Sequence, residues 1–238
     1  MSSLLKVAAA IGLALLVGAC GSMPSQRFER SARVVVRRVC LAPLGVPDRP
    51  QVTIMNPIGA GFGVVGNLIE SRRAAGARQE VEAALAKVGY DYGAALTNAI
   101  SLAIKKAGFS VTRLDGPRPE KERFRFLSLY PPTKRVDAFL DVYAEYVGFQ
   151  APQASADYRP RLEIIARLVA ASDGKTLFQD RIVYGAPGTT DEDAILVRAD
   201  DNFHFRDRAA LQANPATTAH ALQTAIDAVA WELAKQFM

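Results

Sequence analysis

The sequence predicts a mixed α/β fold of the α+β kind, a mainly antiparallel sheet with helices packed on one face, in the order β-α-α-β-β-β-β-α. Three observations predict it. Two segments place apolar residues at helical spacing behind cap residues, Asp91 for one and Asn214-Pro215 for the other. Three strand-like runs fill residues 136–184, the last two joined by the turn pair Asp173-Gly174. A valine-rich run at 32–42 precedes them all and stops at Pro43 and Gly45. A strand, helices, a strand, a meander and a helix, in that order, make helices packed on one sheet.

Residues 51–55 read as a second short strand. From 67 to 88 the composition turns to Ala, Glu, Arg and Leu, with Val81, Leu85 and Val88 at helical spacing and Gly76 weakening the middle. A clearer helix covers 92–107, its stripe made by Leu96, Ile100, Ala103 and Ala107 and its stop by Gly108. Residues 109–114 follow as a strand, and 115–135 as a charged, Pro-rich connection of a length that is uncommon without a role. In the strand at 136–149, Asp137, Asp141 and Glu145 share one face, opposite Val136, Leu140 and Val142. This is the pattern of a solvated face with Arg161 and Arg167 as basic neighbours. A two-residue hairpin would set Arg167 opposite Asp180. After Gly185 the chain reads as irregular and acidic until the last helix, whose stripe is Leu222, Ile226, Val229, Leu233 and Phe237.

The first residues predict an address. Lys6, an apolar run from Val7 to Val17 and the small residues Gly18 and Ala19 have the layout of an export signal. The run is shorter than the roughly 20 residues of a membrane-spanning helix. Val17-Gly18-Ala19-Cys20 resembles the lipobox of bacterial lipoproteins. That resemblance implies a signal peptide at 1–19, lipidation of Cys20, a tether at 20–30 and a single domain at 31–238. With Gly21 in place of an aspartate after the lipid site, it further implies the periplasmic face of the outer membrane. Cleavage removes only Lys6 among the charged residues, leaving 28 basic and 24 acidic side chains. So mild a balance does not suggest a nucleic-acid binder. Arg27, Arg30, Arg33, Arg37 and Arg38 crowd the region after the anchor, where basic residues favour anionic headgroups. With Cys20 lipidated, Cys40 has no partner within the chain and reads as a small buried hydrophobe.

Gly89-Tyr90-Asp91-Tyr92 opening a helix, and Tyr158-Arg159-Pro160 opening a strand that reaches Ser172-Asp173-Gly174-Lys175, resemble uncharacterised envelope lipoproteins of Gram-negative bacteria. More distantly, the arrangement is similar to periplasmic accessory lipoproteins of the curli-secretion and penicillin-binding-protein-activator kind. The resemblance informs fold and compartment and carries no functional residue except Cys20; the function expected is a non-enzymatic accessory or adaptor that binds an envelope component of the secretion, transport or cell-wall machinery, with self-assembly as a variant. A small-molecule or lipid-binding lipoprotein is the alternative, and a hydrolase a third.

Several motifs invite chemistry. Residues 61–66 satisfy G-x-G-x-x-G, yet a ribose-binding acid should end a strand about 20 residues on, where the pattern is helical. No cofactor is expected. The uncharged apolar and glycine run at 54–69 reads as a loop covering the core or a contact surface, with Phe62 and Val65 the candidate contacts. Arg123-Phe124-Arg125-Phe126 offers a second pair, Phe124 and Phe126, either as a partner-binding edge or as a packed irregular segment. His204 lies among Asp200, Asp201, Asn202 and Asp207 in a spacing that matches no metal loop. His220 sits off the last helix's stripe. No metal ligand and no catalytic residue is assigned.

Overall fold

The computed structural model describes residues 24–56, 63–185 and 194–238. Helix α1 (Arg30–Val35) leads into strands β1 (Arg38–Leu41) and β2 (Gln51–Asn56). Helices α2 (Gly63–Lys87) and α3 (Tyr92–Lys106) follow, then β3 (Ser110–Arg113). The strands β4 (Ala138–Gln153), β5 (Arg159–Ala170), β6 (Thr176–Gly185) and β7 (Ala194–Arg198) come next, and α4 (Arg208–Ala213) and α5 (Pro215–Lys235) close the chain. The result is the mixed α/β sheet with helices that the pattern predicts.

The sheet order is β3-β1-β4-β5-β6-β7, with β2 also on β4. The long central ladders, β4–β5 and β5–β6, are antiparallel, and the flanking pairings are parallel. β4 is long enough to hold two strands on one edge: β1 pairs near Phe139, β2 pairs from Gly148 onward, and Gly45 bridges to Tyr143 between them. At Gly148 a Cβ would overlap the Gln51 backbone, so this crossing needs glycine.

Residues alternate across the sheet. Leu140, Val142, Leu162, Ile164, Leu168, Phe178 and Ile182 face α3 and α5, meeting Leu96, Ile100, Val229 and Leu233 in one core. Beyond the bulge at Glu145, Phe149 and Val52 continue that face against Val81 and Leu85 of α2, with Leu211 and Leu222. Each such side chain stabilises by roughly 1.5–3 kcal/mol. The caps act as the sequence predicts: Ala94 donates to Asp91 Oδ1 at 2.9 Å, and Thr217 to Asn214 Oδ1 at 3.2 Å. Cys40 is a buried free thiol on the opposite face, beside Val136 and Phe139.

Four expectations change. The run at 32–42 is not all strand: its first part is α1, where Val36 N–H donates to the Ala32 carbonyl and Val34 and Val35 stay exposed. The β5–β6 loop is wider than two residues, and the register shifts beside it, where Leu168 pairs with Phe178 and Val169 with Thr176. Arg167 therefore lies opposite Gln179, and Asp180 opposite Ala166. The stretch after Gly185 contains β7, a short parallel edge strand, and α4. Finally, Asp141 is fully buried instead of solvated.

Residues 24–28 lie along the sheet. Gln26 exchanges backbone hydrogen bonds with Gln179, the Ser25 hydroxyl donates to Asp180, and Phe28 stacks edge-on against Phe237. Phe62, Cys20 and the side chain of Val65 lie outside the described residues. Gly63 and Gly66 belong to α2, and the chain stays helical to Lys87, so no second strand supplies a ribose-binding acid.

Candidate functional site: a roofed sheet face

The second face of the sheet is covered by the connection at 115–135. Its regular structure is one 3-10 turn, Glu120–Glu122. What holds it down is a polar clamp. Arg118 Nη1 donates to Asp141 Oδ1 at 2.8 Å, and both side chains are almost entirely buried. Asp141 Oδ2 accepts from the Leu127 N–H and from the Tyr130 hydroxyl, each at 2.7 Å. Arg118 also donates to the carbonyls of Pro43, Glu122 and Arg125, at 2.7, 2.7 and 2.6 Å. One guanidinium thus binds both limbs of the connection to β4 and to the segment after β1, in the fork geometry that lysine lacks.

Around the clamp the backbone comes close. At Gly45 a Cβ would overlap the Arg123 carbonyl, so glycine at this position lets the connection lie flat on β4. Arg123 itself pairs with Asp48 and Glu120. Glu122, also buried, accepts from the Ser128 hydroxyl at 2.6 Å, and this bond holds its carboxyl below the usual range. Burial, with the Asp141 charge beside it, pushes the Tyr130 phenol well above its ordinary range.

Arg167 enters from β5. Nη2 donates to the Tyr130 hydroxyl at 2.9 Å and to the Leu127 carbonyl at 3.2 Å, and the guanidinium carbon lies 4.2 Å from the centre of the Phe126 ring. Beside it a groove of about 570 Å³ opens between connection and sheet, lined by Leu129, Tyr130, Pro131, Phe139 and Val169 as well as Phe126 and Arg167.

The three carboxylates expected to share a face do not act together. Asp137 binds Arg38 and the N–H groups of Arg37 and Arg38, which hold its carboxyl low. Asp141 is enclosed by the clamp: its ion-pair partner is Arg118, while Arg167 lies opposite it on β5, as expected of a basic neighbour, and meets it through the Tyr130 hydroxyl. Arg161 pairs with Glu163 at 2.8 Å, and Glu145 faces Arg181 at 3.7 Å. With three donors on its two oxygens, Asp141 is arranged as a structural anchor. Phe124 and Phe126 part company: Phe124 is half exposed, whereas Phe126 stacks edge-on against Tyr143 at 5.3 Å.

The acids near His204 are engaged in caps and ion pairs. Asp201 binds Arg159 and Arg198, and Asp207 caps α4 through the Ala210 N–H. His204 and His220 are exposed, the latter against Phe203. Among the described residues no cluster of three metal-ligating side chains occurs, and no helix is long and apolar enough to cross a membrane. Sequence reasoning did not find Arg118, Gly45, Tyr130 or the placement of Arg167. Only Gly45 carried a signal, as a strand terminator.

No family model and no curated protein matches the sequence. Among solved structures, the chain is similar to a DUF330 protein of Xanthomonas campestris, at 13% identity and a TM-score of 0.39, over 83% of this chain and 81% of that one. It is also similar to PelC of Paraburkholderia phytofirmans, solved as a dodecamer, at 10% identity and 0.31, over 67% and 73%. A third is lipoprotein GNA1162 of Neisseria meningitidis, at 13% and 0.30, over 62% and 81%. At these scores the likenesses assign neither family nor function.

Proposed function

We propose that this chain is a periplasmic lipoprotein, anchored through Cys20 to the outer membrane, which binds another envelope component without catalysing a reaction. The observation that carries the reading is the roofed face. A connection with almost no regular structure is fixed by a buried ion pair, yet it presents Phe124 at 50% and Leu129 at 81% exposure. Apolar side chains exposed on an anchored backbone suit binding, because little backbone freedom is lost on contact. The anchoring part rests on the lipobox resemblance. On that reading, with residues 24–28 seated on the sheet, the three residues between Cys20 and Pro24 span at most roughly 14 Å. So short a tether confines the domain to a thin layer and raises its effective concentration near membrane-bound partners.

The test is affinity capture of the lipidated protein from cross-linked envelopes, beside a soluble Cys20→Ser form carrying an ordinary export signal. The expected result is one protein recovered with the lipidated form, reduced with the soluble form and lost in a folded Phe124→Asp, Leu129→Asp variant. Equal recovery from all three would reject this surface as the contact.

A further inference from the structure

The groove beside Arg167 has a property that contact with a protein partner does not use. Two arginines meet beneath the connection with Asp141, whose ion pair is with Arg118, while the other buried acid, Glu122, is held by Ser128. Arg167 makes no ion pair among the described residues. Its two hydrogen bonds both leave from Nη2 and end on neutral oxygens, and its Nε is buried without a partner. A guanidinium stays protonated in proteins, so this is a standing positive charge in a partly desolvated place, and the acid opposite it on β4, Asp141, reaches it only through the Tyr130 hydroxyl while pairing directly with Arg118. Stacking on Phe126 fixes the plane of the fork.

Beside Ser128 and the Tyr130 hydroxyl, the groove has an apolar wall. Leu129, Pro131, Phe139 and Val169 line it, and its 570 Å³ is in the size range of small-ligand sites. A second cavity, bounded by Leu44, Tyr90 and Tyr92, holds no such arginine: Arg118 and Arg123 in its lining pair with Asp141 and Asp48.

We propose that the groove binds a single-chain amphiphile with an anionic head, the head on Arg167 and the chain between Leu129, Phe139 and Val169. The ligand's charge supplies the direct ion pair that Arg167 lacks, and its chain covers apolar wall that water wets poorly. This goes beyond partner binding and stands whether or not a protein is held at Phe124.

The experiment is calorimetric titration of the mature chain, exported with Cys20→Ser so that no detergent competes, with decanoate, decyl phosphate and decanol. Binding of at least one anion at one site, about tenfold or more tighter than decanol, is expected from a charge-assisted hydrogen bond. Decanoate and decyl phosphate separate a carboxylate head from a phosphate head. Arg167→Gln should bring the anion down to the level of decanol, and Arg167→Lys should keep part of the preference. Should Arg167→Gln fail to fold, Val169→Trp fills the groove and leaves the arginine, and it should abolish binding. No binding by the unmodified groove, equal binding of decanol, or anion preference retained in a folded Arg167→Gln overturns the proposal.

Discussion

Loss of Asp141 strands a buried arginine, Arg118. Replacing the aspartate by Asn keeps the volume and removes the charge that balances Arg118, which is then buried without compensation. A broken buried pair costs about 3–5 kcal/mol, so urea denaturation should show Asp141→Asn destabilised by that order. Asp137 makes a smaller, pH-dependent contribution. Arg38 and two backbone N–H groups hold its carboxyl below the ordinary value of 3.8. Since the native value lies below the unfolded one, the stabilisation is complete above the unfolded value and disappears as pH falls through the native one. The stability gap between the wild type and Asp137→Asn should therefore be largest near neutrality and narrow below about pH 4, read as urea midpoints at each pH. The alternation that puts Asp137 and Asp141 on one face was legible in the sequence. Their different fates were not, since the residue that encloses Asp141 is 23 positions away, in a segment without periodicity.

At the scale of elements, two glycines decide what can lie against β4. A methyl group at Gly45 would meet the Arg123 carbonyl, and one at Gly148 the backbone of Gln51. Backbone yields less than a side chain, and overpacking of this kind costs roughly 1–3 kcal/mol. The two variants should differ in where the damage goes. Hydrogen exchange in Gly45→Ala should speed up across 115–135 and spare α3 and α5, whereas Gly148→Ala should expose β2. The helices were readable because Asp91, Gly108 and Asn214-Pro215 mark ends by local chemistry. The β5–β6 register was not, because a one-residue bulge shifts every later pair and leaves no mark in composition. β7 was missed for a different reason. Ile195, Leu196 and Val197 are apolar, but five residues at a parallel edge carry too little pattern to stand out beside acidic neighbours.

For the whole molecule, the sheet separates two tasks. One face is filled by α2, α3 and α5 and carries the stabilising core. The other carries charge, a groove and a fixed connection with apolar tips. Periodicity revealed the first face, since it repeats along each element. The second is assembled from Gly45, Arg118, Tyr130 and Arg167, which lie far apart in sequence and share no spacing. The most direct test of the central claim, that the roofed face is where another envelope component is held, is photo-crosslinking in intact cells. A photoreactive residue at Leu129 is compared with one at Leu102, which is also exposed but lies on α3. The account predicts a discrete adduct of one size from Leu129 and none from Leu102. No adduct from Leu129, or the same adduct from both positions, would contradict it.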